Sequence, residues 1–284
     1  MHIVVCIKQV PDSAQIRVHP VTNTIMRQGV PSVINPYDLF SLEEAMRLRD
    51  TLGGKVTVLS MGPPMAEDSL RKALGLGADD AVLLTDRFFA GSDTLATSYA
   101  LASAIKKISE TDPVDIVFAG KQTIDGDTAQ VGPGIAKRLN LQQLTYVAKV
   151  EGVDLEKREV VVHRRSEGGV QVLKTSLPCL ITMLEGSNSI RFGTMPDMFR
   201  AARHQLRTWN AEAAGIEDIS LCGLKGSPTV VKKVFAPSAR KDKATMIDVT
   251  GKSADEISAA AIDAIFKAQP KLEADMLELA AGTR

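Results

Sequence analysis

The sequence predicts an α/β fold with a doubly wound, Rossmann-like parallel sheet, covered by helices on both faces. Two observations support this prediction. Short apolar runs such as His2–Lys8 are typical of strands buried on both faces, and helical patterns alternate with them through the first half of the chain. This alternation indicates βαβ units, whose strands run parallel and whose ligands bind beyond the carboxyl ends of the strands.

The first predicted helix begins after an irregular stretch that follows His2–Lys8. Ser41-Leu-Glu-Glu44 matches a capping box and predicts a helix start ahead of the helical pattern Ala45–Leu52. Strands and helices then alternate regularly. The other elements expected in this half are Lys55–Ser60, about Met65–Leu74, Ala81–Leu84, Asp93 to about Lys107, Asp115–Ala119 and Thr128–Leu139.

The pattern changes after about residue 140. Val147–Val150, Glu159–His163 and Gln171–Lys174 predict shorter antiparallel strands, joined by turns such as Glu167-Gly-Gly169. They form a small antiparallel extension of the predicted fold. A basic stretch around a short helix follows, with Arg191, Arg200, Arg203 and Arg207.

The end of the chain predicts a separate helical arm. Beyond Pro237 the sequence turns polar at Arg240-Lys-Asp-Lys243, which is typical of a linker, and two helical patterns follow at Ala254–Ala268 and Lys271–Ala280. Two helices beyond a linker have little core of their own, so we expect them to dock on another chain. The expected division is an α/β domain over residues 1–235 and a linker with its arm over residues 236–284.

Composition argues against several classes of protein. Apolar residues make up 44% and charged residues 24%, and 34 Lys and Arg balance 34 Asp and Glu, so a dedicated nucleic-acid binder is not expected. No apolar run is long enough for a transmembrane segment, and the N-terminus does not read as a signal peptide. We therefore expect a cytoplasmic protein.

Metal sites and catalytic constellations are scarce. Cys6, Cys179 and Cys222 are far apart, which disfavours disulfides, a zinc site and an iron–sulfur cluster, and the four histidines lack ligand-like spacing. Asp125 and Asp127 could form a metal pair, but capping and ordering of their loop explain them better. No nucleophile, general acid or general base stands out, so any redox chemistry requires an organic cofactor.

The strongest local signal is the segment Gly120–Pro133. It follows a buried strand and leads into the predicted helix Thr128–Leu139, where Asp127 is placed to cap the helix. Free N–H groups and the helix dipole at such a start form an anion site. An ordinary polar cap explains the residues equally well, and the loop is neither a Walker A sequence nor a GxGxxG fingerprint. The amides expected to be free are those of Ala129, Gln130 and Val131, with polar contacts from the side chains of Thr128 and Gln130.

Other strand ends strengthen the prediction of a nucleotide site. Gly91–Thr97 is a second capped helix start, although an ordinary N-cap explains it at least as well. Ser60–Pro64 has a glycine that permits close backbone approach and Asn35-Pro-Tyr37 is turn-like, while Cys6 in the first strand is most simply a small core residue. Because all of these elements fall at one expected edge of the sheet, together they favour a dinucleotide site.

Three signatures give the chain a family resemblance. They are Val4–Asp12 together with Asn35-Pro-Tyr37, then Gly120–Gln130, and finally Val162–Thr182, which fits a diagnostic family pattern at every fixed position. Over essentially its whole length the chain resembles the beta subunit of electron transfer flavoproteins. The resemblance implies an adenine nucleotide alpha hydrolase-like domain, a heterodimer with a larger alpha subunit that carries FAD, and a site in the beta subunit for either AMP or a second FAD.

The resemblance also assigns nucleotide contacts. It places Cys6, Asn35 and Met61 around the adenine and Thr123–Val131 around the phosphates, with no catalytic residue and no metal ligand. Lys8 and Gln9 are candidates for stabilising reduced flavin. The complete set of expected cofactor-binding residues is Cys6, Asn35, Met61, Thr94, Thr97, Gln122, Thr123, Asp125, Gly126, Asp127, Thr128, Ala129, Gln130 and Val131.

The loop resembles the branch of the family that binds a second FAD and bifurcates electrons, including its nitrogen-fixation-associated members. Gly126, Ala129 and Val131 stand where many AMP-binding members have an acidic residue, Asn and Thr, and the smaller side chains at Gly126 and Ala129 would leave room for a pyrophosphate. In that branch NADH is the donor. One electron passes to ferredoxin or flavodoxin, and the other passes through the alpha-subunit FAD to an acyl-CoA dehydrogenase or quinone oxidoreductase. A structural AMP is the alternative.

Partner binding is expected at two further places. Met195 aligns with the family's recognition loop, about residues 186–205, which anchors partner dehydrogenases. An exposed methionine suits such a contact, and a buried residue at a helix start is the equally weighted alternative. The helices beyond Pro237 resemble the arm that wraps the flavin domain of the alpha subunit.

Overall fold

The computed structural model describes residues 1–12, 17–18, 25–26, 31–232, 244 and 246–281. The chain divides into two compact units, Met1–Phe235 and Ala236–Arg284. The predicted linker at Arg240–Lys243 lies outside the described residues. Among the described residues, none of the helices combines the length and apolar character that a membrane span requires.

The described residues of the first unit form thirteen strands and five α-helices. The strands are β1 (His2–Cys6), β2 (Gln9–Pro11), β3 (Arg17–Val18), β4 (Ile25–Met26), β5 (Ser32–Ile34), β6 (Lys55–Met61), β7 (Asp80–Leu84), β8 (Ile116–Gly120), β9 (Gln142–Asp154), β10 (Glu159–Ser166), β11 (Gly169–Ser176), β12 (Cys179–Met183) and β13 (Arg207–Trp209). The helices are α1 (Pro36–Leu52), α2 (Glu67–Leu76), α3 (Thr94–Thr111), α4 (Val131–Leu139) and α5 (Met195–Arg203).

Nine strands form one sheet in the order β11-β10-β9-β12-β8-β1-β6-β7-β13. The strands from β9 through β12 to β13 are parallel, while β9, β10 and β11 are antiparallel to one another. From β1 the chain moves outward through β6 and β7, and then returns to place β8 on the other side of β1. This reversal is the topological switch point, where doubly wound sheets bind ligands.

The predicted fold class is confirmed, and the structure adds two strands to the main sheet that the sequence patterns did not reveal. β12 lies between β8 and β9, so the antiparallel strands continue the main sheet and do not form a separate layer. β13 extends the opposite edge by pairing with β7. Outside the main sheet, β2 pairs with β5 and β3 pairs with β4, both antiparallel.

Two predicted helix starts are wrong. α1 begins at Pro36, so Ser41 is a buried residue in the helix interior and not a cap. Proline fits the first helical position because its fixed φ suits a helix and its missing N–H needs no partner there. α4 begins at Val131 with Gln130 at the N-cap, three residues later than Thr128. Asp127 cannot cap it, since Asp127 and Ala129 have left-handed backbone conformations with φ of 55° and 56°.

The apolar core lies on both faces of the sheet. One cluster packs α1 and α2 onto residues such as Ile3, Val58 and Phe118, and the other packs α3 and α4 onto Val4 and Leu180. Alternate residues of β1 therefore serve opposite faces, as the sequence pattern of a fully buried strand requires.

The second unit contains the remaining two described helices. α6 (Ala254–Ala268) has the predicted bounds, and α7 (Pro270–Ala281) is one residue longer at each end than the predicted Lys271–Ala280. A capping box starts α6, in which Ser253 accepts from the amide of Glu256 and the Glu256 side chain accepts from the amide of Ser253. No residue of α6 is buried. The docking of this arm stays a prediction.

Two helical glycines should respond oppositely to alanine. At Gly132 in α4, a Cβ would lie 2.7 Å from the Thr182 methyl carbon, so Gly132→Ala should destabilise the chain by about 1–3 kcal/mol through overpacking. At Gly75 in α2 nothing lies within 4 Å, so Gly75→Ala should stabilise it by up to about 1 kcal/mol through helix propensity. Urea unfolding of the full-length variants measures both changes. A Gly132→Ala variant as stable as Gly75→Ala would contradict the close packing of α4 against β12.

Candidate functional site

The carboxyl ends of β1 and β8 are joined to the start of α1 by two side chains. Asn35 is fully buried; its side-chain amide donates to the Gln122 carbonyl at 2.8 Å, and its side-chain oxygen accepts from the Ile124 amide at 3.3 Å. Its own backbone amide donates to the carbonyl of Lys8 at 2.8 Å. Asn35 therefore ties the segment after β8 to the segment after β1.

Asp38 makes the second connection, and the sequence analysis did not identify it. Its carboxylate accepts from the backbone amide of Lys8 at 2.8 Å and from that of Gly120 at 3.0 Å. A Cβ on Gly120 would collide with Asp38 and Tyr37, so only glycine fits here. Burial raises the pKa of Asp38 to about 7, although both amides favour the ionised form. The sequence signal that could have identified Asp38 is its position as the first acidic residue after the Asn35-Pro36 helix start.

The loop between β8 and α4 is held by its own polar side chains. The Lys8 ammonium binds both carboxylate oxygens of Asp125, at 2.8 and 2.9 Å, and Gln122 donates to Asp127. The amide of Asp127 donates to the carbonyl of Thr123 at 2.8 Å, which closes a tight turn around Gly126. Although partial burial opposes it, the hydrogen bond from Lys8 lowers the pKa of Asp125. The two loop carboxylates are thus engaged by donors within the protein.

The start of α4 has unengaged backbone donors. Gln130 occupies the N-cap position without a side-chain cap, and within the described residues no hydrogen bond uses the amides of Gln130, Val131 or Gly132. Thr128 and Gln130 are exposed beside them. Free amides at the positive end of a helix dipole are suited to bind an anion.

The start of α3 differs, because its donors already have a partner. Asp93 accepts from the amides of Leu95 at 2.9 Å and Ala96 at 3.1 Å. Burial opposes it, but the hydrogen bond from Ala96 helps to lower the pKa of Asp93. This end of α3 is an ordinary N-cap. Thr94 reaches across to α4, where its hydroxyl lies 3.0 Å from the side-chain oxygen of Gln130, while Thr97 lies in the first turn of α3.

Three further expected site residues lie together on the α3–α4 face. Cys6 belongs to the apolar cluster of that face, and Met61 and Val131 pack against it. Burial, followed by the charge of Asp38, raises the pKa of Cys6 to about 12, so the thiol is a neutral packing group. The structure therefore places these three side chains on one face of the sheet, and the segment Gln122–Gln130 lies at its carboxyl edge beside them.

Lys121 marks the edge of this group and was also missed. Its ammonium lies 5.7 Å from the centre of the Tyr37 ring and 5.4 Å from that of Tyr146. Tyr146 adopts a left-handed φ of 59°, which is unusual for an aromatic residue, and its amide donates to the Thr182 hydroxyl at 3.2 Å. The ammonium over two aromatic faces is a cation–π arrangement that a sequence pattern does not reveal.

Met195 lies outside this group, at the first residue of α5. Its side chain is 63% exposed, so the alternative of a buried helix-start residue is wrong. Its role in partner binding stays a prediction. Among the described residues, no group of three or more His, Cys, Asp or Glu side chains is arranged to hold a metal ion.

The sequence is similar to those of several known proteins. The sequence profile of the electron transfer flavoprotein domain matches residues 22–214. The chain is 71% identical to "Protein FixA" of Azorhizobium caulinodans over 99% of its own length and 100% of that protein. It is 67% identical to "Protein FixA" of Bradyrhizobium diazoefficiens over 100% of its own length and 98% of that protein. It is also 49% identical to "Electron transfer flavoprotein subunit beta" of Clostridium acetobutylicum, over 82% of this chain and 87% of that one.

The fold is a doubly wound α/β sheet, and its topological switch point carries a helix start with unengaged backbone amides. More particularly, the chain belongs to the electron transfer flavoprotein beta-subunit family, as the three sequence signatures predicted. It is an electron-transfer subunit of a family that binds flavin or nucleotide, and membership implies an alpha-subunit partner.

Asp38 predicts an unusual pH dependence of stability. In the folded chain Asp38 keeps its proton up to about pH 7, because burial raises its pKa, whereas an unfolded chain releases the proton near the ordinary pKa of 3.8. The contribution of Asp38 to the free energy of unfolding therefore falls as pH rises between these two values. Asp38→Asn removes that slope. The difference in unfolding free energy between variant and wild type should therefore shift in favour of Asn by roughly 2–3 kcal/mol from pH 5 to pH 8.

Urea unfolding of the two full-length chains at pH 5, 6, 7 and 8 measures this shift. Asp125→Asn is the matched control, because the pKa of Asp125 is lowered from the ordinary 3.8, so its contribution to stability changes only at lower pH and is constant from pH 5 to pH 8. A difference between Asp38→Asn and wild type that stays constant with pH would show that Asp38 titrates in its ordinary range.

Proposed function

We propose that the chain binds FAD at the carboxyl ends of β1 and β8 and serves as the bifurcating half of a heterodimeric electron transfer flavoprotein. The observation that carries the proposal is the set of unengaged backbone amides at the start of α4, beside a loop whose carboxylates are already bound by Lys8 and Gln122. The similarity to the two FixA proteins over the whole chain supports the same reading.

The residues present fit a dinucleotide. The amides of Gln130, Val131 and Gly132 would hold phosphate oxygens, with Thr128 adding a hydroxyl. Asp125 and Asp127 do not oppose an anion strongly, because Lys8 and the Gln122 amide bind them. Gly126 and Ala129 keep the outer side of the turn free of bulky side chains, which favours a pyrophosphate over a single phosphate.

Cys6 and Met61 would offer an apolar surface to the adenine, while Asn35 and Asp38 hold the carboxyl ends of the two strands together. When bound, the flavin would supply the redox chemistry, accepting hydride from NADH and passing one electron to ferredoxin or flavodoxin and the other, through the alpha-subunit FAD, to a higher-potential acceptor. No side chain of this chain has to act as general acid or base, which agrees with the missing catalytic constellation.

Two surfaces would serve the partners. The arm formed by α6 and α7 would dock on the alpha subunit, since α6 buries no residue within its own unit. The exposed Met195 would contact the acceptor, an acyl-CoA dehydrogenase or a quinone oxidoreductase.

A structural AMP is the second candidate, in which the chain takes no direct part in electron flow. One observation favours it. Of the helices α3 and α4, only α4 begins without a side-chain cap, because Asp93 caps α3. One helix start with unengaged amides is enough to bind a single phosphate.

Cofactor counting separates the two candidates. Heat-released cofactors of the purified heterodimer should be two FAD and no AMP per complex, because both subunits would then carry a flavin. Chromatography with a mass detector measures the ratio. One FAD with one AMP would reject bifurcation in favour of the structural role.

Ala129→Asn tests the steric part of the proposal. Asparagine adopts the left-handed backbone of position 129 more readily than alanine, so the loop should stay folded. Its longer side chain should obstruct a continuing pyrophosphate, and the FAD retained by this subunit should fall by about tenfold or more in affinity. Gly152→Asn, where nothing lies within 4 Å of an added Cβ, is the control. Unchanged FAD retention in Ala129→Asn would remove the steric argument.

A further inference from the structure

Two lysines lie at the carboxyl ends of the two strands where the sheet reverses direction. Lys8 follows β1 and Lys121 follows β8. The ammonium of Lys8 binds both carboxylate oxygens of Asp125, at 2.8 and 2.9 Å, so this pair has no net charge. Gln9, the other residue that the sequence suggested for reduced flavin, donates to the carbonyl of Met65 at 3.2 Å. Both sequence candidates are therefore engaged by the protein itself.

The ammonium of Lys121 has a different environment. It lies 5.7 Å from the centre of the Tyr37 ring and 5.4 Å from that of Tyr146, and the side chain is half-buried. Within the described part of the chain, no carboxylate forms an ion pair with it. Its charge reaches Glu185, but that carboxylate is bound by Arg165 at 3.2 Å. Because aromatic faces attract an ammonium without engaging its N–H donors fully, those donors can still bind an anion.

The backbone at Lys121 is fixed, so its side chain starts from a defined point. The amide of the preceding residue, Gly120, donates to the buried carboxylate of Asp38 at 3.0 Å. The amide of Lys121 itself donates to the carbonyl of Met183, at the end of β12, at 2.9 Å. The position of this ammonium is therefore set by two neighbouring elements and does not depend on a salt bridge.

Tyr146 is held in a conformation that is unusual for an aromatic residue. Its φ of 59° lies in the left-handed region, and its amide donates to the hydroxyl of Thr182 at 3.2 Å. Thr182 is buried in β12, so the ring of Tyr146 is anchored to the interior of the sheet. Strained backbone of this kind persists where the surrounding structure holds it, and such residues cluster at functional sites. The strain at Tyr146 thus places a ring against Lys121.

The order of the strands gives a direction to a bound dinucleotide. The strands β6, β1, β8, β12 and β9 are consecutive neighbours in the sheet. Met61 on β6 and Cys6 on β1 are the candidate adenine contacts, and the candidate phosphate loop follows β8. A dinucleotide that continues in the same direction would place its remaining part over β12 and β9, beside Lys121 and Tyr146.

Hydride acceptance changes the charge that this part of the site must accommodate. A hydride brings two electrons and one proton, so the ring system that accepts it gains one negative charge. A fixed positive charge in a partly buried site stabilises that negative charge, because water screens it less than at the open surface. Lys8 and Asp125 together supply no net charge, whereas Lys121 supplies a full one.

We propose that Lys121, held between Tyr37 and Tyr146, is the cation that stabilises the reduced, negatively charged flavin of this subunit. The proposal rests on the proposed function, because it requires FAD in the site of this chain. It assigns the role to the lysine after β8, since Asp125 neutralises Lys8. Lys121 acts on the flavin ring, while the start of α4 holds the phosphates.

The test measures midpoint potentials of the purified heterodimer and does not depend on turnover. Lys121→Gln should lower the two-electron midpoint potential of one flavin by about 30 mV, which is a tenfold loss of preference for the reduced form. The other flavin, in the alpha subunit, should keep its potential. The flavin that shifts should be the one that Ala129→Asn depletes. Titrations are run at one fixed pH, because burial raises the pKa of the neighbouring Asp38 to about 7.

Controls separate the charge of Lys121 from general damage to the site. Lys121→Arg should keep the preference for the reduced form within about twofold, because a guanidinium is positively charged and stacks on aromatic rings. Tyr146→Phe keeps the ring and should have no effect, whereas Tyr146→Leu releases the ammonium and should give part of the shift. Lys72→Gln, at an exposed position of α2, is the matched control for losing one positive charge. Thermal unfolding and content of oxidised FAD verify each variant.

The outcomes are distinct. A lowered potential in Lys121→Gln that Lys121→Arg restores, with Lys72→Gln unchanged, supports the proposal. An unchanged potential overturns it while the proposed function stands; if FAD content also falls, Lys121 binds both redox states equally, as a phosphate contact does. If Lys121→Gln does not fold, an unchanged potential in Tyr146→Leu overturns the proposal instead. If the wild-type heterodimer releases one FAD and one AMP, the proposed function fails and this proposal fails with it.

Discussion

The carboxylate of Asp38 joins the two strands at which the sheet reverses direction. β1 and β8 are neighbours in space but separated by more than a hundred residues of chain, and hydrogen bonds from Lys8 and Gly120 meet on this one buried group. Everything that follows β8, including the candidate nucleotide loop, starts from that junction. Burying a carboxylate is costly, and two backbone donors offset part of the cost by favouring its charge.

The same junction explains how an acidic loop can surround an anion site. Asp125 and Asp127 lie in the loop that should hold phosphates, yet Lys8 and Gln122 bind them. The donors left over are backbone amides at the start of α4, whose partial charges are fixed by the helix and do not depend on a flexible cation. Positive φ values at Asp127 and Ala129 turn the chain sharply enough to reach that start.

α1 supports both functional regions through polar side chains on different turns. Its first turn holds Asp38 at the carboxyl ends of β1 and β8, and its middle holds Glu43 and Glu44, which bind Arg191 and Asn188. A single helix thus fixes the positions of the candidate nucleotide site and of the segment that leads into α5. This arrangement suits electron transfer, in which the cofactor and the acceptor must be held at defined positions and the protein need not perform acid–base chemistry.

The fold class, the succession of the main strands and helices along the chain, and the family followed from sequence patterns alone, because period-2 and period-3.6 patterns and three long signatures are local properties of the chain. It also located the loop before α4. Sequence patterns failed at two helix starts and for residues whose partners are distant in sequence. Ser41 matched a capping box, but Pro36 had already started the helix, and Asp127 matched an N-cap, but its left-handed backbone cannot be one. The roles of Asp38 and Glu43 could not be predicted, since their partners lie at Gly120 and Arg191. Only the tertiary structure brings those charges and amides together, and electrostatic pairing across such separations leaves no periodic trace in a sequence.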